Sequence, residues 1–233
     1  MLAVLDCNFK ELSPYGGNVI EENEVRMPSK IRNLMLDYLP KIIHLWKQDS
    51  PLDHICASLE TLKVWRCNSL INLASSSTSF QNLTTLDVWN CKEIAELITA
   101  SKVQSLVHLV EMTIRKCETM KEVVADEGDD EATYEIIFRE LKRLELQCLP
   151  SLRSFCTGNY TFRFPSLEQV IVSECLSLKS FCQGALSTPK LERVQLNRTD
   201  SEGRWAGDLG ATIEQLYMEQ NVQISEEKTE DTI

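Results

Sequence analysis

The amino-acid sequence predicts an α/β solenoid, in which parallel strands line one face and irregular or short helical segments return along the other. A pattern of the form Leu-x-x-Leu-x-Leu-x-x-Cys recurs along the chain and reads LETLKVWRC from Leu59, LTTLDVWNC from Leu83 and LVEMTIRKC from Leu109. Its apolar positions alternate, as in a strand that is buried on one side. One such strand cannot bury its own apolar face, so successive units are predicted to stack and share a core.

Seven units carry this pattern, and their starts lie 24 to 32 residues apart. Two further clear copies begin at Leu141 and Leu167, and weaker copies begin at Ile31 and Leu191. A period of this length is the signature of the leucine-rich repeat, whose strands form a parallel sheet on the concave face of the solenoid. The sequence therefore predicts about seven leucine-rich repeats over residues 31–200, with the returns on the convex face.

The segments outside the repeats are predicted to close the solenoid. Residues 1–30 hold only a poor copy of the pattern and are interpreted as an N-terminal edge or a broken repeat. Residues 201–224 are predicted to form a helical cap over the apolar edge of the last repeat, with Asp208 as its N-cap. Residues 225–233 are predicted to form an acidic tail. The cap prediction rests on four apolar side chains at helical spacing: Leu209, Ile213, Leu216 and Tyr217.

Charge limits the classes of partner. The formal net charge is −11 and the sequence pI is about 4.9, which argues against general binding to phosphate backbones, so nucleic acid is not expected as a partner. Much of the negative charge lies in the run 126–131, which is predicted to be a solvated insertion in the longest repeat. Calcium binding there is not expected, because the EF-hand spacing and its terminal glutamate are missing.

The recurrent cysteines are predicted to form a buried ladder. Cysteine packs as a small hydrophobe and offers a weak donor to the turning backbone. No Cys-x-x-Cys pair supplies the usual zinc spacing, so no metal is expected. Four members lie eight residues after their repeat starts and the last lies seven after its own: Cys67, Cys91, Cys117, Cys175 and Cys148.

Cysteine usage and hydropathy predict a cytoplasmic protein. The nine cysteines are odd in number and spread at repeat spacing, so they are expected to stay reduced. No signal peptide is expected from the first residues, and no apolar run is long enough to predict a membrane span or a membrane partner.

The motifs do not predict an enzyme. The histidines, His44, His54 and His108, lie in or between repeats, and neither a Gly-x-Ser-x-Gly nor a His-Glu-x-x-His motif occurs. A Gly-x-x-x-x-Gly-Lys-Ser/Thr loop, which would cradle phosphates, is also missing from this sequence. We therefore expect no catalytic residues and no cofactor.

The solvent face of the predicted sheet is the candidate binding surface. Exposed aromatics beside arginines are the composition of binding hot spots, and Trp65 and Trp89 fall on this face. The alternative is that these two tryptophans stack as neighbours and stiffen the sheet, and the two roles are compatible. The candidate partner-binding residues are Lys63, Trp65, Arg66, Asp87, Trp89, Asn90, Arg115, Lys116, Arg143 and Arg193.

Several stretches resemble the C-terminal leucine-rich-repeat region of plant intracellular disease resistance proteins of the coiled-coil, nucleotide-binding class. The resemblance covers nearly the whole chain. It lies in LDVWNC (86–91), MKEVV (120–124), IIFRELKRLELQCLPSL (136–152), FPSLE (164–168), TPKL (188–191) and the ending from Arg204 to Tyr217.

The resemblance implies pathogen sensing. In this family a repeat domain senses effectors or guarded host proteins and holds a nucleotide-binding module inactive. The implied partners are thus a protein ligand and a nucleotide-binding domain of the same receptor. Because the phosphate loop is missing, ATP binding and switching are not carried over to this sequence. A stand-alone leucine-rich-repeat adaptor or inhibitor without an immune role is the alternative.

Overall fold

The computed structural model describes residues 1–7, 11–14, 24–27, 31–45, 53–73, 79–128 and 135–230. Its helices are α1 (Asp53–Ser58), α2 (Ala100–Val103) and α3 (Leu209–Glu230). Its strands are β1 (Leu2–Leu5), β2 (Glu11–Pro14), β3 (Glu24–Met27), β4 (Asn33–Asp37), β5 (Thr61–Trp65), β6 (Thr85–Trp89), β7 (Glu96–Thr99), β8 (Glu111–Arg115), β9 (Glu122–Ala125), β10 (Glu135–Ile137), β11 (Arg143–Gln147), β12 (Thr161–Arg163), β13 (Gln169–Ser173), β14 (Leu186–Ser187) and β15 (Val194–Gln195).

Eight strands form one parallel sheet in the order β1-β4-β5-β6-β8-β11-β13-β15, which confirms the predicted solenoid. Equivalent places of successive repeats face each other, so that Leu62 pairs with Leu86 and Leu86 with Met112. Each place in the repeat thereby becomes a straight column across the sheet. The segment predicted as an edge or broken repeat contributes β1, in which Leu2 pairs with Leu34.

The core is one continuous hydrophobic cluster between the sheet and the returns. The inward residues of the strands, such as Leu62 and Val64, have no exposed surface. Later repeats fill the return side with phenylalanines. Phe155 stacks on Phe181 with ring centroids 4.7 Å apart.

The returns are richer in strand than the sequence indicates. We expected irregular or short helical returns, and α1 and α2 are short helices. However, β7 pairs with β9, β10-β12-β14 form a three-stranded sheet, and β2 pairs with β3, all in parallel. A buried backbone must hydrogen-bond, and a return too short for a long helix satisfies this by pairing with the same place of the next repeat.

A thiol ladder, defined as Cys67, Cys91, Cys117 and Cys175, confirms the predicted buried cysteines. All four are buried. Each thiol donates to the carbonyl two residues earlier, as from Cys67 Sγ to the oxygen of Trp65 at 3.4 Å. The ladder therefore both fills the core and bonds to the backbone where the chain leaves each strand.

Cys148 was wrongly predicted as a ladder member. It lies seven residues after its repeat start, one place early, and it is partly exposed at a backbone φ of +51°. Leu149 occupies the eighth place and is fully buried there. The ladder position thus accepts either a thiol or a leucine. Cys7, which lies outside the predicted set, makes the same contact, because its thiol donates to the oxygen of Leu5 at 3.1 Å.

The residue at the seventh place of every repeat except the last, which starts at Leu191, adopts a left-handed backbone conformation. This column contains no glycine, and its φ angles are 50–56° at Asp6, Tyr38, Arg66, Asn90, Lys116, Cys148 and Glu174. Such angles are costly for ordinary residues, and the first six of these residues recover a backbone hydrogen bond to the next repeat. The N–H of Arg66, for example, donates to the oxygen of Trp89 at 2.8 Å. The turn ends the strand and places the seventh side chain beside the sheet face.

The described start of the acidic run 126–131 is exposed, as expected for a solvated insertion, and hydrogen bonds also anchor it to other repeats. Asp126 accepts a hydrogen bond from the hydroxyl of Tyr160 at 2.8 Å. Glu127 accepts from the N–H of Ser101 at 2.7 Å. Residues 129–131 of the run lie outside the described residues.

Helix α3 packs on the end of the solenoid. Asp208 caps it as predicted, because its carboxylate accepts the N–H of Ala211 at 2.8 Å. Leu209, Ile213 and Leu216 are buried in the common core. The helix continues to Glu230, so the predicted border between cap and tail at residue 224 falls inside it. Within the described residues, no helix is long and apolar enough to cross a membrane.

The last strand is closed by an antiparallel bridge. Val194 of β15 and Arg204 exchange two backbone hydrogen bonds of 2.8 and 2.7 Å. Gly203 makes the turn possible, with a φ of +65° and the position of an added Cβ only 2.7 Å from the oxygen of Val194. A further parallel strand cannot pair with Val194 while this bridge is formed, so the edge is protected.

We predict that native thiol labelling separates two classes of cysteine. Ellman's reagent should modify Cys7, Cys148 and Cys182, which are partly exposed, before any buried thiol. Burial raises the pKa of Cys117 to about 11 and that of the partly exposed Cys182 also to about 11, so accessibility rather than pKa separates the two classes. Mass spectrometry after timed quenching would identify the labelled sites. Rapid labelling of the thiol ladder without denaturant would contradict the buried assignment.

We also predict that Asp126→Ala lowers the free energy of unfolding by about 1–3 kcal/mol, because the buried Tyr160 hydroxyl loses its acceptor. Tyr160 is 4% exposed. Tyr160→Phe is the matched control and should cost less, since it leaves the exposed Asp126 carboxylate free to be hydrated. Urea denaturation of both variants gives the comparison. If both variants lost the same free energy of unfolding, the unpaired Tyr160 hydroxyl would not be the source of the effect.

Candidate functional site

The sheet register places the two candidate tryptophans side by side. Trp65 and Trp89 are paired residues of β5 and β6. Their ring centroids lie 5.8 Å apart with an interplanar angle of 86°, so they meet edge to face rather than stacked. Both side chains are half-buried. The predicted contact between neighbours is present, and each ring still presents part of its surface to solvent.

Arg66 is held rigidly beside this pair. Its guanidinium donates from Nε to Asp37 Oδ1 at 2.7 Å and from Nη2 to Oδ2 at 2.5 Å. The guanidinium carbon also lies 5.8 Å from the ring centroid of Tyr38 and 5.8 Å from that of Trp89. The hydrogen bonds to Asp37 raise the pKa of Arg66. Bidentate pairing and two cation–π contacts therefore fix one arginine between two aromatic rings.

Arg115 continues the same column on the other side of Trp89. Its Nη2 donates to Asp87 at 3.3 Å. Two buried donors, Arg115 Nε and Trp65 Nε1, find no hydrogen-bond acceptor among the described residues. An unpaired buried donor costs about 1–3 kcal/mol, so a side-chain movement that opened these N–H groups to an acceptor would recover that cost. We call the set Tyr38, Trp65, Arg66, Trp89 and Arg115 the aromatic–arginine patch.

The remaining candidates lie around the patch or far from it. Lys63 Nζ lies 5.7 Å from the ring centroid of Trp65. Asn90 and Lys116 follow the patch in the left-handed column, and Lys116 is exposed. Arg143 donates to Gln169 at 2.7 Å. Arg193 is exposed at the far end of the sheet, about 24 Å from Trp65 at the usual strand spacing, and is not part of this cluster.

Sequence reasoning missed two features of this face. The first is Tyr38, which was overlooked because its repeat matches the pattern only weakly. It lies seven residues after its repeat start, as Arg66 does, so the repeat pattern makes the two residues neighbours. Glu145 is 1% exposed although it lies on the solvent face of β11. Arg198 reaches it with Nη2 2.9 Å from Oε2. This contact closes the C-terminal part of the face, where Ile171 is also 1% exposed. The open part of the face therefore lies around β4, β5, β6 and β8.

The described residues contain no group of three or more His, Cys, Asp or Glu side chains arranged to hold a metal ion. Nδ1 of His44 lies 3.4 Å from Oδ1 of Asn72, and Nδ1 of His108 lies 3.0 Å from Oε1 of Glu140. Both imidazole rings therefore link neighbouring repeats. The side chain of His54 lies outside the described residues. A cavity of about 750 Å³ opens elsewhere, at the start of the first strands, between Met1, Arg32 and Glu60.

Comparison with known proteins identifies the repeats. A family model described as plant disease resistance protein RPS2-like, leucine-rich repeats, matches residues 7–79 and 71–198. No curated protein and no solved structure matches the chain. The matched ranges cover most of the chain and contain every strand of the main sheet except β1, including the strands of the aromatic–arginine patch. The chain therefore belongs to the RPS2-like leucine-rich-repeat family of plant disease resistance proteins.

Proposed function

We propose that this chain is the recognition surface of a plant immune receptor and binds a protein partner through its strand face. The partner is a pathogen effector or a guarded host protein. Family membership supports the immune setting, because the repeats belong to plant disease resistance proteins. The aromatic–arginine patch supports the place of binding.

The main support for this binding site is the guanidinium of Arg66, which is held between Tyr38 and Trp89. Aromatic residues and arginine are enriched where interfaces gain most of their binding energy. Long side chains usually lose conformational entropy on binding, which costs about 0.5–1.5 kcal/mol of binding free energy for each side chain. Asp37 already restrains Arg66, so less of this cost remains to be met on association.

The unpaired donors support the same surface. Trp65 Nε1 and Arg115 Nε are buried on either side of Trp89 without an acceptor among the described residues. A partner that offers carbonyl or carboxylate oxygens would satisfy both donors once the side chains shift to expose them. A nucleotide-binding domain of the same receptor is a second protein ligand of this kind, and titration of that purified domain against this chain would distinguish it from an effector or a guarded host protein.

Trp89→Ala should weaken partner binding by about 2 kcal/mol or more, roughly a 30-fold loss of affinity. Proximity labelling in plant tissue would first identify candidate partners of the wild-type chain, and titration calorimetry with each purified partner would measure the affinity. Trp205→Ala is the matched control, because Trp205 is 39% exposed and lies outside the strand face. It should leave the affinity unchanged.

Stability separates the recognition role from a purely structural one. Leu86→Ala should cost about 2–5 kcal/mol, because it opens a cavity in the core. Trp89→Ala should cost less, since its side chain is only half-buried. If Trp89→Ala left every partner's affinity unchanged and lowered the melting temperature as far as Leu86→Ala does, the tryptophans would be structural and the proposal would be wrong.

Asp37→Asn tests whether the restraint on Arg66 matters. Asp37 is 9% exposed, so it offers a partner little surface of its own. The amide cannot accept both guanidinium hydrogen bonds, and we expect affinity to fall by about 1 kcal/mol, roughly fivefold, through a faster dissociation rate. Surface plasmon resonance would measure the rates. Affinity equal to that of the wild type would show that the fixed guanidinium contributes nothing.

A further inference from the structure

A second column crosses the returns, twelve places after each repeat start. It contains Ile43, Ile71, Ala95, Lys121, Arg153 and Lys179. Backbone hydrogen bonds join neighbours directly, from Ile71 N to the oxygen of Ile43 at 3.0 Å and from Lys121 N to that of Ala95 at 2.8 Å. We call this set the return stripe. It lies on the returns and shares no residue with the aromatic–arginine patch.

The last three members of the return stripe are stacked cations. Arg153 N donates to the oxygen of Lys121 at 2.9 Å, and Lys179 N donates to that of Arg153 at 3.0 Å. All three side chains are exposed, and among the described residues none of them forms an ion pair. Lys179 Nζ instead lies 5.9 Å from the ring centroid of Tyr217. Like charges at neighbouring strand positions repel, so the arrangement is unfavourable without an anion.

Among the described residues, the carboxylates near the stripe form no ion pair with its cations. The neighbouring place holds Glu122 beside Lys121, but the Glu122 carboxylate accepts the Thr157 hydroxyl at 2.8 Å and the Thr157 N–H at 3.2 Å. Beside Arg153 and Lys179 the same place holds Ser154 and Ser180. Three cations that form no ion pair with a described residue therefore stand in line on a chain whose net charge is −11.

The other end of the return stripe is apolar. Ile43 is 44% exposed and Ile71 is 46% exposed, and their direct backbone bond makes them neighbours. The stripe thus changes from two exposed isoleucines to three exposed cations along one line. At about 4.8 Å per strand it is about 24 Å long, which matches about seven residues of extended chain.

We propose that the return stripe docks an acidic protein segment with apolar residues at one end, separately from the strand face. The cations of the stripe would face the acidic residues of such a segment, and the two isoleucines would face its apolar residues. A flat anionic membrane fits less well, because the exposed carboxylates Glu93 and Glu96 flank the stripe at Ala95 and would be pressed against the same surface. An extended peptide segment is narrow enough to contact the stripe without contacting these two carboxylates.

The test uses a fluorescent peptide of two leucines followed by five glutamates, titrated with the whole chain and followed by anisotropy. The variant Lys121→Glu/Arg153→Glu/Lys179→Glu should bind at least tenfold more weakly. Its matched control is the triple reversal of exposed cations elsewhere, Arg139→Glu/Lys142→Glu/Lys190→Glu, which changes the net charge equally. The control should bind like the wild type, and added salt should weaken wild-type binding.

Three outcomes would overturn the proposal. The first is an equal loss in both triple variants, which would reflect net charge alone. The second is no peptide binding by the wild type. The third is stripe-dependent binding to vesicles of phosphatidylcholine and phosphatidylserine but not to the peptide, which would indicate a membrane. Melting curves check that each variant folds, and if the stripe triple does not, Arg153→Gln against Lys142→Gln repeats the comparison.

The peptide assay also distinguishes this proposal from recognition on the strand face. Trp89→Ala should leave peptide binding unchanged, because Trp89 lies on the strand face outside the return stripe. Conversely, the stripe variant should leave the affinity for a strand-face partner unchanged.

Discussion

Backbone hydrogen bonding between the same places of successive repeats is the constraint on which the rest of the structure depends. The main sheet keeps one register from β1 to β15, so a residue's place within its repeat determines which residues stand beside it. Contacts between residues 24 to 32 positions apart in the chain become nearest-neighbour contacts in space. A solenoid of this kind has stability that accumulates from one interface to the next.

The same constraint explains the less regular features. Six of the left-handed residues at strand ends are tolerated because their N–H groups bond to the following repeat, as Asn90 does to Arg115 at 2.9 Å. The thiol ladder lies at the next place and bonds to the carbonyls of the turn. At the C-terminal end no further repeat follows β15 in the sheet, and Arg204 and helix α3 satisfy the backbone and the apolar edge instead.

Register also creates the surfaces that we assign to binding. Neighbouring columns bring Asp37, Arg66 and Trp89 together on the strand face, although they lie in three different repeats. Ion pairing then converts a flexible arginine into a fixed one. On the returns the same stacking aligns Lys121, Arg153 and Lys179, which form no ion pair with any described residue. One surface thus has its charges paired internally, and the other leaves them available.

The sequence by itself determined the repeat phase, the strands and the inward residues, because alternation and period are properties of neighbouring positions along one chain. It also placed Trp65 beside Trp89 and most of the cysteines in the core. Tertiary structure alone decided the pairing of Arg66 with Asp37, the edge-to-face angle of the tryptophans and the burial of Glu145 under Arg198, 53 residues away. It also decided the strands in the returns and the exposure of Cys148. These features depend on rotamers and on which lateral neighbour a group meets, and a one-dimensional pattern does not contain that information.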